Sequence, residues 1–152
     1  MFFVAEKDPG LIPQVLSKIL DACVNGVTLA DPDLPDMPIV YANKAFETIS
    51  GYTQDEVVGQ NCRFLQGQDR DQEERFQIRK AIEECQPIEV TLRNYRKDGS
   101  LFYNRFSIRP LYDREGRIIY YLGVQYDVTE QVRAEEELAR LNAQLRAAGE
   151  TP

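Results

Sequence analysis

The chain has 152 residues, 43% of them hydrophobic and 28% charged, a composition typical of one folded domain and not of a disordered chain. Its formal net charge of −7 argues against non-specific binding to nucleic acids, which requires a basic surface. Histidine is absent, which excludes Ser-His-Asp hydrolysis, histidine-ligated zinc and a phosphoacceptor histidine from this chain. No apolar stretch is long enough for a membrane helix and no signal peptide is recognisable, so we expect a cytoplasmic protein with no membrane partner.

The first part of the chain predicts a helix followed by two short strands. Asp8 and Pro9 are typical of a helix start, and the apolar spacing continues the helix to about residue 23. Segments 26–30 and 38–42 have the composition of strands and are joined by an acidic, proline-rich loop. We therefore divide the chain into an N-terminal helical extension (1–24), a core (25–128) and a C-terminal amphipathic helix with a tail (129–152).

Residues 43–86 predict several short helices. One ends at Gly51, another begins at the capping box formed by Thr53 and Glu56, and residues 62–66 form a single turn. Asp71 is the predicted cap of a longer helix. Its predicted apolar stripe consists of Phe76, Ile78, Ala81 and Ile82.

Three strands are predicted next, over residues 88–96, 101–112 and 117–127. The connections between them contain Asp-Gly and Glu-Gly pairs, which favour hairpin turns. Short strands around a group of small helices indicate an antiparallel α+β fold and not a βαβ nucleotide-binding fold.

The last segment predicts a polar helix with a narrow apolar seam. The seam has the 4, 3, 4, 3 spacing of a coiled coil and consists of Ala134, Leu138, Leu141, Leu145 and Ala148. Two heptads are too few to establish a coiled coil. The seam either contacts a second chain, which we favour, or packs on the sheet of its own domain.

Cys62 lies beside Arg63 in the predicted turn. A lone cysteine is most often a half-buried packing residue, and one arginine is weak evidence for a reactive thiolate. Cys23 ends the apolar stripe of the first helix and is expected to pack, whereas no role is expected for Cys85.

A group of arginines and a group of amides are further candidates for a site. The arginines suit a phosphate or carboxylate ligand, unless nearby acidic residues neutralise them. The amides lie one on each of the last three strands, and buried amides need hydrogen-bond partners. They either satisfy one another or face a planar heterocycle. The arginines are Arg63, Arg70, Arg75 and Arg79, their acidic neighbours are Asp69, Asp71, Glu73 and Glu74, and the amides are Asn94, Asn104 and Gln125.

The segment Asn61–Gly67, Asn-Cys-Arg-Phe-Leu-Gln-Gly, resembles the signature motif of light-oxygen-voltage (LOV) domains, the blue-light sensors of the PAS superfamily. The resemblance extends over residues 25–129 and includes Asn94-Tyr-Arg-Lys-Asp-Gly99, Phe102-Tyr-Asn104 and Gly123-Val-Gln125. It implies a PAS fold, a five-stranded antiparallel sheet with a helical cluster on one face and helical extensions at both ends. The resemblance favours a LOV protein of the short type, and a domain cut from a longer kinase or cyclase is the open alternative.

The resemblance also implies a cofactor and a photoreaction. Family members hold flavin mononucleotide (FMN) non-covalently, and the cysteine corresponding to Cys62 adds to flavin carbon C4a under blue light. Gln125 corresponds to the glutamine that relays the change to the terminal helices. The implied flavin-contacting residues are Thr28, Asn61, Arg63, Leu65, Gln66, Arg70, Arg75, Arg79, Asn94, Asn104, Phe106, Gly123 and Gln125.

Two departures from the family pattern are expected to leave the site intact. Tyr103 replaces a tryptophan, and Met37 stands where the family frequently has asparagine.

By this resemblance the chain is a photoreceptor and not an enzyme. It is expected to form a homodimer through its N- and C-terminal helices and to act on a downstream effector protein or domain. A PAS module with another ligand, or one that only dimerises, is an alternative that would need neither Cys62 nor the arginines. A flavin redox enzyme is a second alternative, but no glycine-rich nicotinamide-binding loop or general base is recognisable.

Overall fold

The computed structural model describes residues 12–149, with side chains described from Val15 onward. The predicted start of the first helix at Asp8 and Pro9 lies outside these residues. The elements are α1 (Ile12–Ala22), β1 (Gly26–Ala30), β2 (Ile39–Ala42), α2 (Lys44–Ser50), α3 (Gln54–Val57), a 3-10 helix (Cys62–Gln66), α4 (Glu74–Glu83), β3 (Ile88–Tyr95), β4 (Leu101–Tyr112), β5 (Ile118–Asp127) and α5 (Thr129–Ala147).

The five strands form one antiparallel sheet in the order β2-β1-β5-β4-β3. The central strand β5 pairs with β1 from Gly26↔Gln125 to Ala30↔Tyr121, and β2 and β3 are the edges. This confirms the predicted fold, and each predicted strand lies within one residue of its observed position.

One face of the sheet packs against the helical cluster. Ile78 and Ile82 of α4 contact a buried group on β3, β4 and β5 that includes Leu92 and Phe106. A second buried group joins β2, α2, α3 and the 3-10 helix. The space between these two groups becomes the site described below.

The other face of the sheet carries α1. Leu20 packs against a buried group formed by Leu29, Tyr41 and Tyr120. Asn43 also ties α1 to the core, since its Nδ2 donates to the carbonyls of Leu20 and Asn25 at 2.8 and 3.1 Å.

The C-terminal helix α5 extends away from the sheet. Every residue from 133 to 149 is exposed, including Leu138, Leu141 and Leu145 of the seam. The alternative that this seam packs on the sheet of its own domain is therefore wrong. Among residues 12–149, no helix is both long and apolar enough to cross a membrane.

Three local predictions are wrong. Asp71 does not cap α4, which begins at Glu74 with no side-chain cap. Phe76 is not part of the buried stripe, since its ring is 52% exposed. Cys23 does not pack in the core but lies exposed just after α1.

Candidate functional site

A cavity of about 220 Å³ lies between the helical cluster and the sheet. All predicted site residues except Thr28 and Gly123 line it, namely Asn61, Cys62, Arg63, Leu65, Gln66, Arg70, Arg75, Arg79, Asn94, Asn104, Phe106 and Gln125. Thr28 and Gly123 instead form a tightly packed layer beside it.

Cys62 opens the 3-10 helix, whose N-terminus is capped by Asn61. The Asn61 Oδ1 accepts from the Arg63 backbone N–H at 3.0 Å, and its Nδ2 donates to the Asp36 carbonyl at 2.8 Å. Cys62 contacts both buried groups that border the cavity. Burial raises the pKa of the thiol to about 11, although the charge of Arg63 lowers it in part. At neutral pH the side chain is therefore an uncharged thiol.

The buried amides satisfy one another only in part. Asn104 Nδ2 donates to Asn94 Oδ1 at 2.9 Å, and Gln125 Nε2 donates to Thr28 Oγ1 at 3.3 Å. Three buried amide oxygens, on Gln66, Asn104 and Gln125, have no partner among the described residues. Because an unpaired buried acceptor is costly, this side of the cavity favours a ligand that presents hydrogen-bond donors along an edge.

Two glycines leave room for Gln125. A Cβ on Gly123 would lie 2.6 Å from Thr28 Oγ1, 2.9 Å from the Phe106 ring and 3.3 Å from Gln125 Nε2. A Cβ on Gly26, the residue paired with Gln125 across the sheet, would lie 3.1 Å from Gln125 Oε1. Gly26 was not among the predicted site residues, because its closeness to the Gln125 side chain follows only from the strand register.

The four arginines meet at one end of the cavity. Arg63 forms an ion pair with Asp36, and Arg75 Nη1 donates to the Arg70 carbonyl. The pKa of Arg75 is lowered by burial and then by the neighbouring charges of Arg70, Arg79 and Arg63.

Within residues 12–149 no carboxylate is ion-paired with Arg70, Arg75 or Arg79, so the neighbouring acidic residues do not neutralise them. The buried Nε of Arg70 has no hydrogen-bond partner in the same part of the chain. This concentration of unpaired positive charge suits an anion such as phosphate.

Phe76 contributes to this arrangement from outside the cavity. The guanidinium carbons of Arg75 and Arg79 lie 5.5 and 5.9 Å from the centre of its ring, within cation–π range. The helical spacing predicted burial for Phe76, and only the fold reveals its contacts with the arginines.

The rest of the cavity wall is apolar apart from the carboxylate of Glu83. Neither Glu83 nor the apolar residues, which are Met37, Ile78, Ile82, Leu92 and Ile108, were predicted as site residues. Met37 has a φ of 45°, a left-handed conformation that asparagine adopts at a lower cost than methionine. Met37 therefore carries a cost in backbone energy that asparagine at this position would reduce.

A cavity with a cysteine, buried amides at one end and unpaired arginines at the other matches the family proposed from the motif. The PAS domain model matches residues 24–130. A solved light-oxygen-voltage domain, from work with a flavin analogue, is 41% identical with a TM-score of 0.73, and the match covers 88% of this chain and 99% of that one. The chain is a LOV domain of the PAS superfamily.

Longer proteins contain similar domains. A blue-light photoreceptor of Listeria monocytogenes is 44% identical over 126 residues, which cover 83% of this chain and 49% of that protein. The bacterioopsin transcriptional activator of Halobacterium salinarum is 46% identical over 119 residues, 78% of this chain and 18% of that protein. The LOV domain thus spans half or less of the length of these relatives.

Proposed function

We propose that this LOV domain is a blue-light receptor that binds FMN non-covalently in the cavity and reacts through Cys62. The observation that carries the proposal is the joint presence of unpaired arginines, unpaired amide oxygens and a thiol around one cavity. When bound, the flavin would supply blue-light absorption and, at carbon C4a, an electrophile for the Cys62 sulfur.

The arginine end of the cavity would hold the ribityl phosphate. Arg63 and Arg79 are the implied family contacts, and Arg70 and Arg75 add two further guanidinium groups. Charge-assisted hydrogen bonds contribute about 1.5–3 kcal/mol each before the cost of desolvation. Arg63 would exchange Asp36 for the phosphate or share its donors between the two.

The amide end would hold the flavin ring. Asn94, Asn104 and Gln125 lie on β3, β4 and β5, and Gln66 ends the 3-10 helix. The apolar wall, with Leu65 and Phe106, would cover the faces of the ring. The oxidised flavin ring carries one N–H donor, at N3, which one of the three unpaired amide oxygens would accept, and the ribityl hydroxyls are further donors. The carbonyl oxygens and the N1 and N5 atoms of the ring are acceptors and would meet amide N–H groups.

Cys62 would contribute through its position next to the flavin, and not by acting as a base. Its raised pKa keeps the sulfur protonated, so the thiol can provide a proton as well as a nucleophile. Its place in a short helix capped by Asn61 limits its motion and favours a near-attack position.

Gln125 would relay the change at the ring to the terminal helices. Two residues later, Asp127 accepts from the Thr129 backbone N–H at 3.0 Å and binds Arg96 at 2.7 Å, which fixes the start of α5. On its other side, Gln125 pairs with Gly26, close to the end of α1. Rotation of the Gln125 amide would therefore change hydrogen bonds close to the end of α1 and the start of α5. We further propose that α1 and α5 join two copies of the chain and pass the signal to an effector protein or domain.

Cysteine variants of the full chain test this proposal. The purified protein should carry FMN and bleach reversibly under blue light. Cys62→Ala should keep the flavin and its fluorescence but lose the bleaching, because a methyl group cannot form a bond to the ring.

The exposed Cys23 and Cys85 provide matched controls. Cys23→Ala and Cys85→Ala should bleach and recover like the wild type. A wild-type chain that binds no flavin, or a Cys62→Ala variant that still bleaches reversibly, would overturn the proposal.

A further inference from the structure

An ion pair joins the loop before α4 to β3, an edge strand of the sheet. Arg93 of β3 donates from Nε and Nη2 to the two carboxylate oxygens of Asp69, at 2.7 and 2.8 Å. The Tyr95 hydroxyl donates to the same carboxylate at 2.6 Å. This bidentate geometry fixes the direction of the carboxylate as well as its position.

The same strand holds the loop that carries Asp69. Gln72 is 3% exposed and exchanges hydrogen bonds with the backbone of Arg93, accepting at 2.8 Å and donating at 3.0 Å. Arg93 Nη2 also donates to the Asp71 carbonyl at 3.1 Å. The loop from Gly67 to Glu73 is thereby fastened to the edge of the sheet.

The sequence position of Asp69 makes this arrangement consequential. Asp69 is immediately followed by Arg70, whose buried Nε has no partner among the described residues. Arg75 Nη1 donates to the carbonyl of Arg70, one residue from Asp69, so a released Asp69 carboxylate could approach the Arg75 guanidinium and compete there with an anionic ligand. Its hydrogen bonds to Arg93 and Tyr95 hold the pKa of Asp69 at about 2, so it is ionised at neutral pH.

We infer that Arg93 is a positioning residue that sequesters the Asp69 carboxylate, so that the charge of Arg70, Arg75 and Arg79 remains available to a phosphate. Arg93 thereby determines selectivity for FMN over riboflavin, which has the same ring and no phosphate. The inference rests on the proposed function, since it assumes that a flavin binds in the cavity.

The test compares the affinities of FMN and riboflavin for the flavin-free full chain by quenching of flavin fluorescence. Arg93→Gln should weaken FMN binding by about tenfold and change riboflavin binding by less than about twofold, because only FMN meets the released carboxylate. The double variant Asp69→Asn/Arg93→Gln should regain most of the lost FMN affinity, because the competing charge is gone.

Three further variants separate sequestration from loss of structure. Arg93→Lys keeps the positive charge and should retain most of the selectivity. If Arg93→Gln does not fold, Arg93→Met, which also removes the charge, takes its place. Tyr95→Phe removes one hydrogen bond without changing the charge and should remain within about twofold of the wild type. Arg105→Gln breaks another ion pair of β3, the one between Arg105 of β4 and Glu89 of β3 at 3.1 Å, and should have no effect.

The outcomes are distinct. Equal weakening of FMN and riboflavin in Arg93→Gln would show a general structural role and overturn the inference. A double variant that binds FMN no better than Arg93→Gln would also overturn it. If the wild type binds neither flavin, the proposed function itself fails and the inference falls with it.

Discussion

At the scale of single residues, the protonation of Cys62 is decided by burial. Burial raises the pKa of its thiol to about 11, and the opposing effect of Arg63 is smaller. A thiol with a raised pKa ionises only as the pH approaches that value, so the protonated fraction stays near one over the range from about pH 6 to 9. We expect the extent of light-induced bleaching to be constant over this range. A rise in bleaching between about pH 7 and 9 would indicate a thiolate and contradict this prediction.

The two additional arginines lead to a second prediction at this scale. Replacing Arg70 and Arg75 together by glutamine should weaken FMN retention, because it removes two of the four guanidinium groups at the phosphate end. A less firmly held flavin admits water to the ring more often, so recovery in the dark should become faster. The absorption maxima should not move, since these residues lie at the arginine end of the cavity, where the phosphate and not the ring would bind.

Retention of FMN is measured by filtration, and recovery in the dark is measured by absorbance after a light pulse. Arg114→Gln/Arg117→Gln, in the turn between β4 and β5, makes the same change in net charge away from the cavity and should behave like the wild type. Recovery at the wild-type rate in the Arg70/Arg75 variant would contradict the prediction.

At the scale of elements, Asn43 joins three parts of the fold. Besides its bonds to α1, its Oδ1 accepts from the backbone N–H groups of Val27 in β1 and Phe46 in α2, at 2.8 and 3.1 Å. Asn43→Ala would leave these buried groups unpaired, so we expect the free energy of unfolding to fall by roughly 2–4 kcal/mol. Urea unfolding measures this loss. Thr53→Ala removes the exposed cap of α3 and should cost about 1 kcal/mol or less; an equal loss in both variants would contradict the role of Asn43.

Local patterns predicted the elements well where local contacts determine them. The capping box of Thr53 and Glu56 is present, and the strands follow the alternation of apolar residues. The start of α4 was not predictable in this way, because Gln72 is held by the backbone of Arg93, a residue 21 positions away. The pairing of Asp69 with Arg93 was missed for the same reason, since nearby arginines are equally plausible partners in the sequence.

For the site, as for the fold, features that depend on neighbouring residues were predicted, and features that depend on contacts between distant residues were not. The motif and the resemblance around it located Cys62 and the arginines, all of which line the cavity, while their roles stay predictions. The unpaired amide oxygens and the close approach of Gly26 to Gln125 depend on strand register, which the sequence does not specify.

At the scale of the whole molecule, two surfaces rich in apolar residues are exposed within residues 12–149. One is the seam of α5, where Leu138, Leu141 and Leu145 are 60%, 44% and 48% exposed. The other is a groove on the outer face of the sheet, lined by residues of α1 and by Leu111, Ile119 and others of β4 and β5. Burying a leucine side chain contributes about 1.5–3 kcal/mol, so a surface that covers the seam is strongly favoured.

We expect a second copy of the chain to cover the seam. A homodimer through α1 and α5 should be visible by light scattering coupled to size-exclusion chromatography. Leu138→Asp/Leu141→Asp places two charges on the seam and should produce a monomer that binds flavin normally, because neither residue contacts the cavity. Leu34→Asp, at a similarly exposed leucine in the loop between β1 and β2, should remain dimeric. A wild-type chain that is monomeric in both light and dark would exclude the dimer and leave the seam to an effector protein.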